Sequence, residues 1–543
     1  MNIMDPNKEF KEFEEKVFQS IIERNPILAT HLGKHEYDDR LPDATKKKHL
    51  KDIELSEKWL EELKNFDNEE LNEENQIARD IGLHILSLRL FSLEDLRQWE
   101  RAPNAPPTIG SSIFPLIRRE FAPLEERLES IISRIEEVPR MLEDEKKRLE
   151  NPVKLWIDMA IESAEQLPIL FKLVQMMAKE EGFEEEKLSR IREVTSKADE
   201  ALEEYIEWLN NQKTKAQDEF AIGEEKFNEL LEKRELGYNA DEILDIGETL
   251  LENAQEDMDK YAKKVHPTGN VQKALEKVES EVPDDFEEAL EWYDIGLEDA
   301  KNFVVENDLV TIPENENIEV TETPEYMRNI IPFAAYIPPA KFDEVKKGIY
   351  VVTPPEDDDD LSNYSYWDVR NTTVHEGYPG HHLQLAAATT NEDIFRLFSQ
   401  ATETVEGWAH YCEEMMKENG FDDTPEAKLL QSKDIVWRAA RIIVDVKLST
   451  GKMSFDEAVK YLIDTVNMDE KDAKKEIKRY TQNPAYQLSY LLGKQMIKEL
   501  KEEVKQEMGD EFTEKFFHDT ILYAGSVPIK YLRKIFEKKI ESF

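Results

Sequence analysis

The sequence is poor in cysteine, glycine and long apolar runs, and each shortage excludes a class of protein. Cys412 is the single cysteine, so this chain alone can form no intrachain disulfide, four-cysteine zinc site or iron–sulfur site. Only 18 of the 543 residues are glycine, while 40% are apolar and 35% charged, which excludes collagen-like and disordered chains. No stretch approaches the roughly 18 apolar residues of a membrane span, and the N-terminus lacks the basic and apolar regions of a secretory signal. The absences predict a globular, cytoplasmic protein.

Positive charge is also scarce relative to negative charge. The chain has 71 Lys and Arg residues against 119 Asp and Glu residues, a formal net charge of -48. A field of that sign repels nucleic acids and anionic membrane surfaces. We therefore expect neither nucleic acid nor membrane among the partners of this protein.

The spacing of apolar residues predicts a mainly α fold with one small β-sheet. Residues 1–310 show helical stripes throughout, for example Leu124, Leu128, Ile131, Ile135 and Val138, which end at Pro139. Between 311 and 370 prolines cluster around a short β-type run, Ile349 to Val352, and helical patterns then return. We therefore divide the chain into an N-terminal helical region, 1–310, and a region containing the sheet, 311–543.

Histidines cluster in the second region. Four of the ten lie between residues 375 and 410, three of them in the segment HEGYPGHHLQ at 375–384. A zinc peptidase site needs two neutral imidazoles, usually one carboxylate, an open position and a nearby carboxylate that takes the proton of the attacking water. His375 and Glu376 supply the first ligand and the general base. The adjacent pair His35-Glu36 has no second histidine in range and is expected to be structural.

The second histidine does not have the usual spacing. In the common motif it lies at i+4, where this chain has Pro379. In a regular helix His381, at i+6, would point about 120° away from His375. Pro379 and the glycine after it permit a two-residue bulge that returns His381 to the metal. His382 remains the alternative ligand.

The third ligand is expected to be a carboxylate on a following helix. Glu406 lies 25 residues after His381, enough for one helix to end and a second to return antiparallel. Glu403, one turn earlier, competes for this role. His410, one turn after Glu406, faces the same side of the helix.

The two motifs HEGYPGHHLQ and EGWAHY (406–411) resemble the prokaryotic family 885 of domains of unknown function, relatives of the gluzincin metallopeptidases. Further similar stretches are NPILATHLGKHEYDDRLPDAT (25–45), LGYNADEILDIG (236–247), WRAARIIVDVKL (437–448) and NPAYQLSYLLGK (483–494). The resemblance implies a large helical fold like that of thimet oligopeptidase and carboxypeptidase Taq, with zinc below a deep channel walled by residues 1–310. It also aligns His381 and Glu406 with the second and third ligands.

The resemblance further implies that late tyrosines, Tyr486 or Tyr490, stabilise the oxyanion of the tetrahedral intermediate. His410 is an alternative donor to the oxyanion. This chain departs from the family at Ala485 and Tyr486, because many members read Pro-Gly-Gln where it reads Pro-Ala-Tyr. The strand ending at Val352 is expected to pair with an extended substrate.

The sequence therefore predicts a metallopeptidase of the oligopeptidase or carboxypeptidase type that uses Zn2+ and cleaves short peptides. Alternatives are a zinc hydrolase acting on a non-peptide amide and a catalytically inactive, peptide-binding relative. Three arginines, Arg370, Arg438 and Arg441, are candidates for capturing a substrate carboxylate. The acidic run Glu356 to Asp360 would favour cationic peptides by steering.

Overall fold

Helices dominate the chain, as the sequence predicts. The structure is a computed structural model that describes residues 5–323, 328, 334–344, 347–355 and 361–542, apart from the side chains of residues 335 and 363. The acidic run Glu356 to Asp360 lies outside the described residues, so its steering role stays a prediction. Within the described residues, no helix is both long and apolar enough to span a bilayer.

Packing divides the chain into two compact units, and the main boundary lies between Phe220 and Ala221. The first unit also contains the segment that begins at Ala340. The predicted boundary at residue 310 differs from this one because the helices from 221 to 306 pack with the later helices of the second unit. The role of residues 1–310 as walls of a channel stays a prediction.

The described residues of the first unit are mostly helical. Its helices are α1 (Pro6–Arg24), α2 (Pro26–Leu32), α3 (Lys46–Lys64), α4 (Glu73–Phe91), α5 (Gln98–Arg101), α6 (Ala105–Arg118), α7 (Leu124–Glu136), α8 (Val138–Arg148), α9 (Lys154–Glu180) and α10 (Glu185–Gln212). The predicted stripe is buried from Leu128 to Val138, and Pro139 lies in the first turn of α8, where its missing N–H costs nothing. His35, of the His35-Glu36 pair, bonds Asp38 and Asp343 through its two ring nitrogens. This is a structural role, as expected.

The second unit holds the sheet and every candidate site residue. Its elements are α11 (Glu224–Lys233), α12 (Ala240–Val265), α13 (Val271–Glu279), α14 (Phe286–Glu306), β1 (Asn317–Glu322), β2 (Ala334–Ile337), β3 (Lys347–Val352), α15 (Tyr366–Glu376), α16 (His381–Ala388), α17 (Ile394–Phe398), α18 (Thr402–Glu418), α19 (Pro425–Ser449), α20 (Phe455–Val466), α21 (Glu470–Gln482), α22 (Ser489–Met508), α23 (Glu514–Ala524) and α24 (Ile529–Glu541). The most extensive packing joins α12 to α19 and α18 to α22. The fold is therefore mainly α with one small sheet, as predicted.

The sheet has the strand order β1-β3-β2, so β3 is the central strand. It pairs in parallel with β1 along its whole length and antiparallel with β2 over Ile349 to Val352. Both edges of that stretch are already hydrogen-bonded, so the expectation that it pairs with a substrate is wrong. The sheet lies beside the histidine motif, since Tyr336 of β2 contacts His382.

Candidate metal centre

The histidine motif folds as two helices joined by a turn that is wider than one turn of an α-helix. α15 ends at Glu376 and α16 begins at His381. Across the join, the amide N–H of Gly380 donates to the carbonyl of Val374 at 3.1 Å, and that of Leu383 donates to the carbonyl of Gly377 at 3.3 Å. Both bonds span six residues where an α-helix spans four, so the turn absorbs two extra residues. This is the bulge that the spacing predicts.

Close backbone packing holds this turn in place. A Cβ atom on Gly380 would lie 1.9 Å from the carbonyl oxygen of His375, so only glycine fits there. The indole N–H of Trp408, a fully buried residue of α18, donates to the carbonyl of Pro379 at 2.8 Å. As a result the rings of His375 and His381 meet almost perpendicularly, with their centroids 4.8 Å apart.

Glu406 of α18 completes the group. One ligand atom from each of His375, His381 and Glu406 lies within 4.8 Å of the others, and Nε2 of His381 is 3.5 Å from a carboxylate oxygen of Glu406. Although burial opposes ionisation, the facing His381 and the nearby histidines lower the pKa of Glu406 to about 2. Glu406 is therefore ionised at neutral pH, as a metal ligand must be.

The competing residue Glu403 is engaged elsewhere. Its carboxylate accepts a 2.7 Å hydrogen bond from Nη2 of Arg234 and is buried with it, on the side where α18 crosses α22. The crossing is very close, because a Cβ atom on Gly493 would lie 2.0 Å from the carbonyl oxygen of Glu403. Glu403 thus anchors the first turn of α18, while Glu406 faces the histidines.

His382 is also engaged elsewhere. Its ring nitrogens bond the hydroxyl of Tyr336 at 2.9 Å and the carboxylate of Glu316 at 2.5 Å, and the side chain is fully buried. Glu316 also accepts hydrogen bonds from Tyr378 and Lys301. Although burial opposes it, these donors lower the pKa of Glu316 to about 2. The arrangement favours His381 over His382 as the ligand.

Glu413 is a site residue that the sequence analysis missed. Its carboxylate accepts hydrogen bonds from Nδ1 of His375 at 2.7 Å and from Nδ1 of His410 at 3.0 Å. These imidazoles hold the pKa of the buried Glu413 carboxyl well below its usual range, against the effect of burial. Glu413 follows Glu406 by seven residues on α18, so helical periodicity places it on the same face and could have indicated it.

Both ring nitrogens of His410 are occupied. Nδ1 bonds Glu413, and Nε2 accepts a 3.3 Å hydrogen bond from Nε of Arg438. Burial lowers the pKa of His410 to about 3, so the ring is neutral and carries its proton on Nδ1. In this arrangement His410 has no free N–H for an oxyanion, because its Nδ1–H donates to Glu413, and it supports Glu413 and His375 instead.

The two tyrosines approach the site from the start of α22. The hydroxyl of Tyr486 donates to a carboxylate oxygen of Glu406 at 3.1 Å. The ring of Tyr490 lies 6.0 Å from that of Tyr486 and 5.8 Å from that of His410. Burial and the Glu406 charge raise the pKa of both phenols, so both remain proton donors at neutral pH.

Asp445, which is buried, and Arg234, which is 11% exposed, hold the turn that carries Tyr486. The carboxylate of Asp445 accepts the amide N–H of Ala485 at 2.9 Å and that of Leu488 at 3.1 Å. Arg234 donates to the carbonyl of Ala485 from the other side. Ala485 has a φ of 62°, in the left-handed region that favours glycine. The Pro-Gly-Gln of many family members fits this backbone conformation.

Similarity to known proteins extends over nearly the whole chain. Residues 26–535 match the family described as "Bacterial protein of unknown function (DUF885)". The chain belongs to that family. No curated protein matches the sequence. Among solved structures, a proposed lipoprotein of unknown function from Shewanella oneidensis is similar with a TM-score of 0.80 and 23% identity, over 97% of this chain and 99% of the other. A proposed lipoprotein from Colwellia psychrerythraea has a TM-score of 0.86 and 18% identity, over the full length of both chains.

Within this DUF885 fold, the donor set suits a zinc ion. Two imidazoles and one carboxylate are the ligands of many zinc hydrolases. Ligands about 2.1 Å from a tetrahedral ion lie roughly 3.4 Å apart, which matches the 3.5 Å between His381 and Glu406. The bond from His375 to Glu413 directs its other nitrogen, Nε2, away from Glu413 and leaves it available as a ligand. The alternative trio of His375, His410 and Glu413 is already joined by hydrogen bonds.

Proposed function

We propose that this protein hydrolyses peptide bonds in short peptides, with zinc held by His375, His381 and Glu406. The proposal rests chiefly on one observation: two imidazoles and an ionised carboxylate offer ligand atoms within 4.8 Å of one another. Each of these three residues is largely buried, with side-chain exposures of 11–13%, and Glu376 follows His375 directly in the sequence. A bound zinc ion would supply Lewis acidity, which acidifies water and polarises a carbonyl.

Glu376 is the proposed general base. It is the last residue of α15, next to His375, and its charge contributes to the raised pKa of the buried phenols Tyr336 and Tyr350, after burial itself. In the proposed reaction its carboxylate would accept the proton of the attacking water and return it to the leaving amine.

Tyr490 and Tyr486 are the proposed donors to the oxyanion. Both phenols are protonated, and the ring of Tyr490 packs against that of Tyr486. Tyr486 would exchange its bond to Glu406 for one to the substrate. His410 takes no direct part in this scheme, since Glu413 and Arg438 occupy its nitrogens. Its contribution is to hold Glu413, which orients His375.

Short, unfolded peptides are the proposed substrates. The ligand side chains are each less than one-seventh exposed, so a scissile bond must enter the protein to reach them. A backbone segment within a folded protein cannot do so without unfolding. We expect cleavage of a denatured protein and of peptides up to about thirty residues, and none of the same protein when folded.

The decisive experiment combines metal analysis with a peptide library. Purified protein should contain about one zinc per chain and cleave library peptides, as read by mass spectrometry. Glu376→Gln should keep the zinc and lower kcat by about 10²- to 10⁴-fold, because the amide cannot accept a proton. Glu392→Gln, at an exposed loop position, is the matched control and should keep both the bound zinc and the wild-type kcat.

Other outcomes separate the alternatives. Zinc binding with cleavage of small amides alone would make the protein a non-peptide hydrolase. Zinc and peptide binding without any cleavage would make it an inactive, peptide-binding relative. Activity of Glu376→Gln within about tenfold of the wild type would remove Glu376 as the base.

A further inference from the structure

We propose that Arg438 binds the terminal carboxylate of the substrate, so that the protein releases one residue or a dipeptide from the C-terminus of a peptide. This inference rests on the proposed function and deepens it by naming the end of the substrate that is recognised. It concerns a guanidinium group that the proposed mechanism does not otherwise use.

Arg438 has hydrogen-bonding capacity to spare. Its Nε donates to His410 at 3.3 Å, and its Nη1 donates to a carboxylate oxygen of Asp434 at 2.9 Å. Nη2 makes no hydrogen bond to any part of the chain that the structure describes. A guanidinium has five N–H groups, so at least the two on Nη2 remain for a ligand. The guanidinium carbon also lies 4.8 Å from the centre of the Trp437 ring.

The position of Arg438 suits contact with a substrate group just beyond the scissile bond. The His410 ring that it contacts lies 4.7 Å from the ring of His375 and 5.8 Å from that of Tyr490. Arg438 is therefore separated from the proposed zinc ligands by one imidazole. Successive residues of an extended chain advance by about 3.3–3.6 Å, so this separation corresponds to one or two residues of the peptide. In the proposal these residues are on the leaving side of the bond.

The other two candidate arginines are less available to a ligand. Arg370 bonds Asp422 through Nε and Nη2 and Asp299 through Nη1, so its partners explain it as a structural residue. Arg441 bonds Tyr480 through Nε and Glu476 through Nη2, and although its Nη1 makes no bond to the described residues, its side chain is only 6% exposed against 15% for Arg438.

Charge provides the physical reason for a cation here. Glu376, Glu406 and Glu413 place three carboxylates in the site, inside a chain of formal charge -48. A bound zinc ion would offset two of these three charges, so the site would still repel the terminal carboxylate of a peptide unless a further cation offsets the repulsion. A guanidinium does so with directional N–H bonds, which an internal peptide segment would leave unused.

The test compares matched peptides that differ only in their C-terminus. A pentapeptide with a free carboxylate and the same pentapeptide as a C-terminal amide are given to the zinc-loaded protein. A charge-assisted hydrogen bond predicts a kcat/KM about tenfold to a hundredfold higher for the acid. Mass spectrometry should show loss of one residue or a dipeptide from the C-terminus.

Arg438→Gln should bring the acid-to-amide ratio of kcat/KM close to one, and Arg438→Lys should retain part of it. Arg533→Gln, which removes a 42% exposed arginine, is the control and should keep the wild-type ratio. Zinc content is measured for each variant, because Arg438 also contacts His410.

Equal cleavage of acid and amide by the wild type would overturn the proposal. So would an Arg438→Gln variant that loses both activities in the same proportion, since that result assigns Arg438 only to the support of His410. If zinc-loaded protein cleaves neither peptide, the proposed function fails, and calorimetric binding of the two peptides still tests Arg438. Tighter binding of the acid than of the amide, lost in Arg438→Gln, would then support the subsite, and equal binding would overturn it.

Discussion

Removal of Arg234 is expected to destabilise the site more than any change to a surface ion pair. Its guanidinium bonds Glu403 at 2.7 Å, Thr402 at 2.7 Å and Ser489 at 3.0 Å, and also the carbonyl of Ala485. The side chains of Arg234 and Glu403 are 11% and 2% exposed. Arg234→Met would leave a buried carboxylate without a counter-charge, which costs about 3–5 kcal/mol.

The double variant tests the reasoning. Replacing Glu403 by Leu as well removes the uncompensated charge, and the hydroxyls of Thr402 and Ser489 already bond each other at 2.9 Å. The remaining loss should fall to about 1–2 kcal/mol, the cost of the unpaired Ala485 carbonyl. As a matched control, Lys530→Met breaks the ion pair between Lys530 and Glu235, whose side chains are 48% and 29% exposed respectively. This change should lower the free energy of unfolding by less than about 1 kcal/mol.

Hydrogen exchange is the suitable assay, because a chain of two compact units need not unfold in one step. The free energy of opening is read from amides of α18 and α22 in metal-free protein. Arg234→Met should lower it by several kcal/mol in both helices. A loss no larger than that of Lys530→Met, or no recovery in the double variant, would refute the assignment of Arg234 as the anchor of these helices.

The other predictions concern the ligands, the strained turn and pH. His381→Ala should lose bound zinc and His382→Ala should keep it, as measured by metal analysis after dialysis; the opposite result would reverse the ligand assignment. Ala485→Gly should raise stability by up to about 1 kcal/mol, because glycine adopts a φ of 62° without strain, and a lower thermal midpoint would contradict this. The pKa of Glu316 is about 2 in the fold, against 4.5 for an ordinary glutamate, so its ionisation contributes roughly 3 kcal/mol above pH 4.5 and loses that contribution as the pH falls toward 2. The stability difference between wild type and Glu316→Gln should therefore shrink from pH 7 to pH 4, and a constant difference would count against the low pKa.

Local patterns in the sequence were sufficient for the helices and for the outline of the site. The stripe from Leu128 to Val138 predicts a buried helical face because helical periodicity depends only on neighbours along the chain. The six-residue spacing from His375 to His381 likewise implies a widened turn, since Pro379 excludes a continuous helix. The sheet position and the family could also be predicted, the latter from motifs spread over most of the chain.

Contacts between residues distant in sequence required the tertiary structure. Glu413 meets His375 across 38 positions, and Arg234 meets Glu403 across 169. The central position of β3, which removes its free edge, depends on two other strands. The role of His382 also depends on a distant contact. Its hydrogen bond to Glu316 distinguishes it from the neighbouring ligand candidate His381. Residue type and spacing determine which side chains can bind a metal or accept a proton, but the packing of separate helices decides which of them have a free lone pair or N–H left to do so.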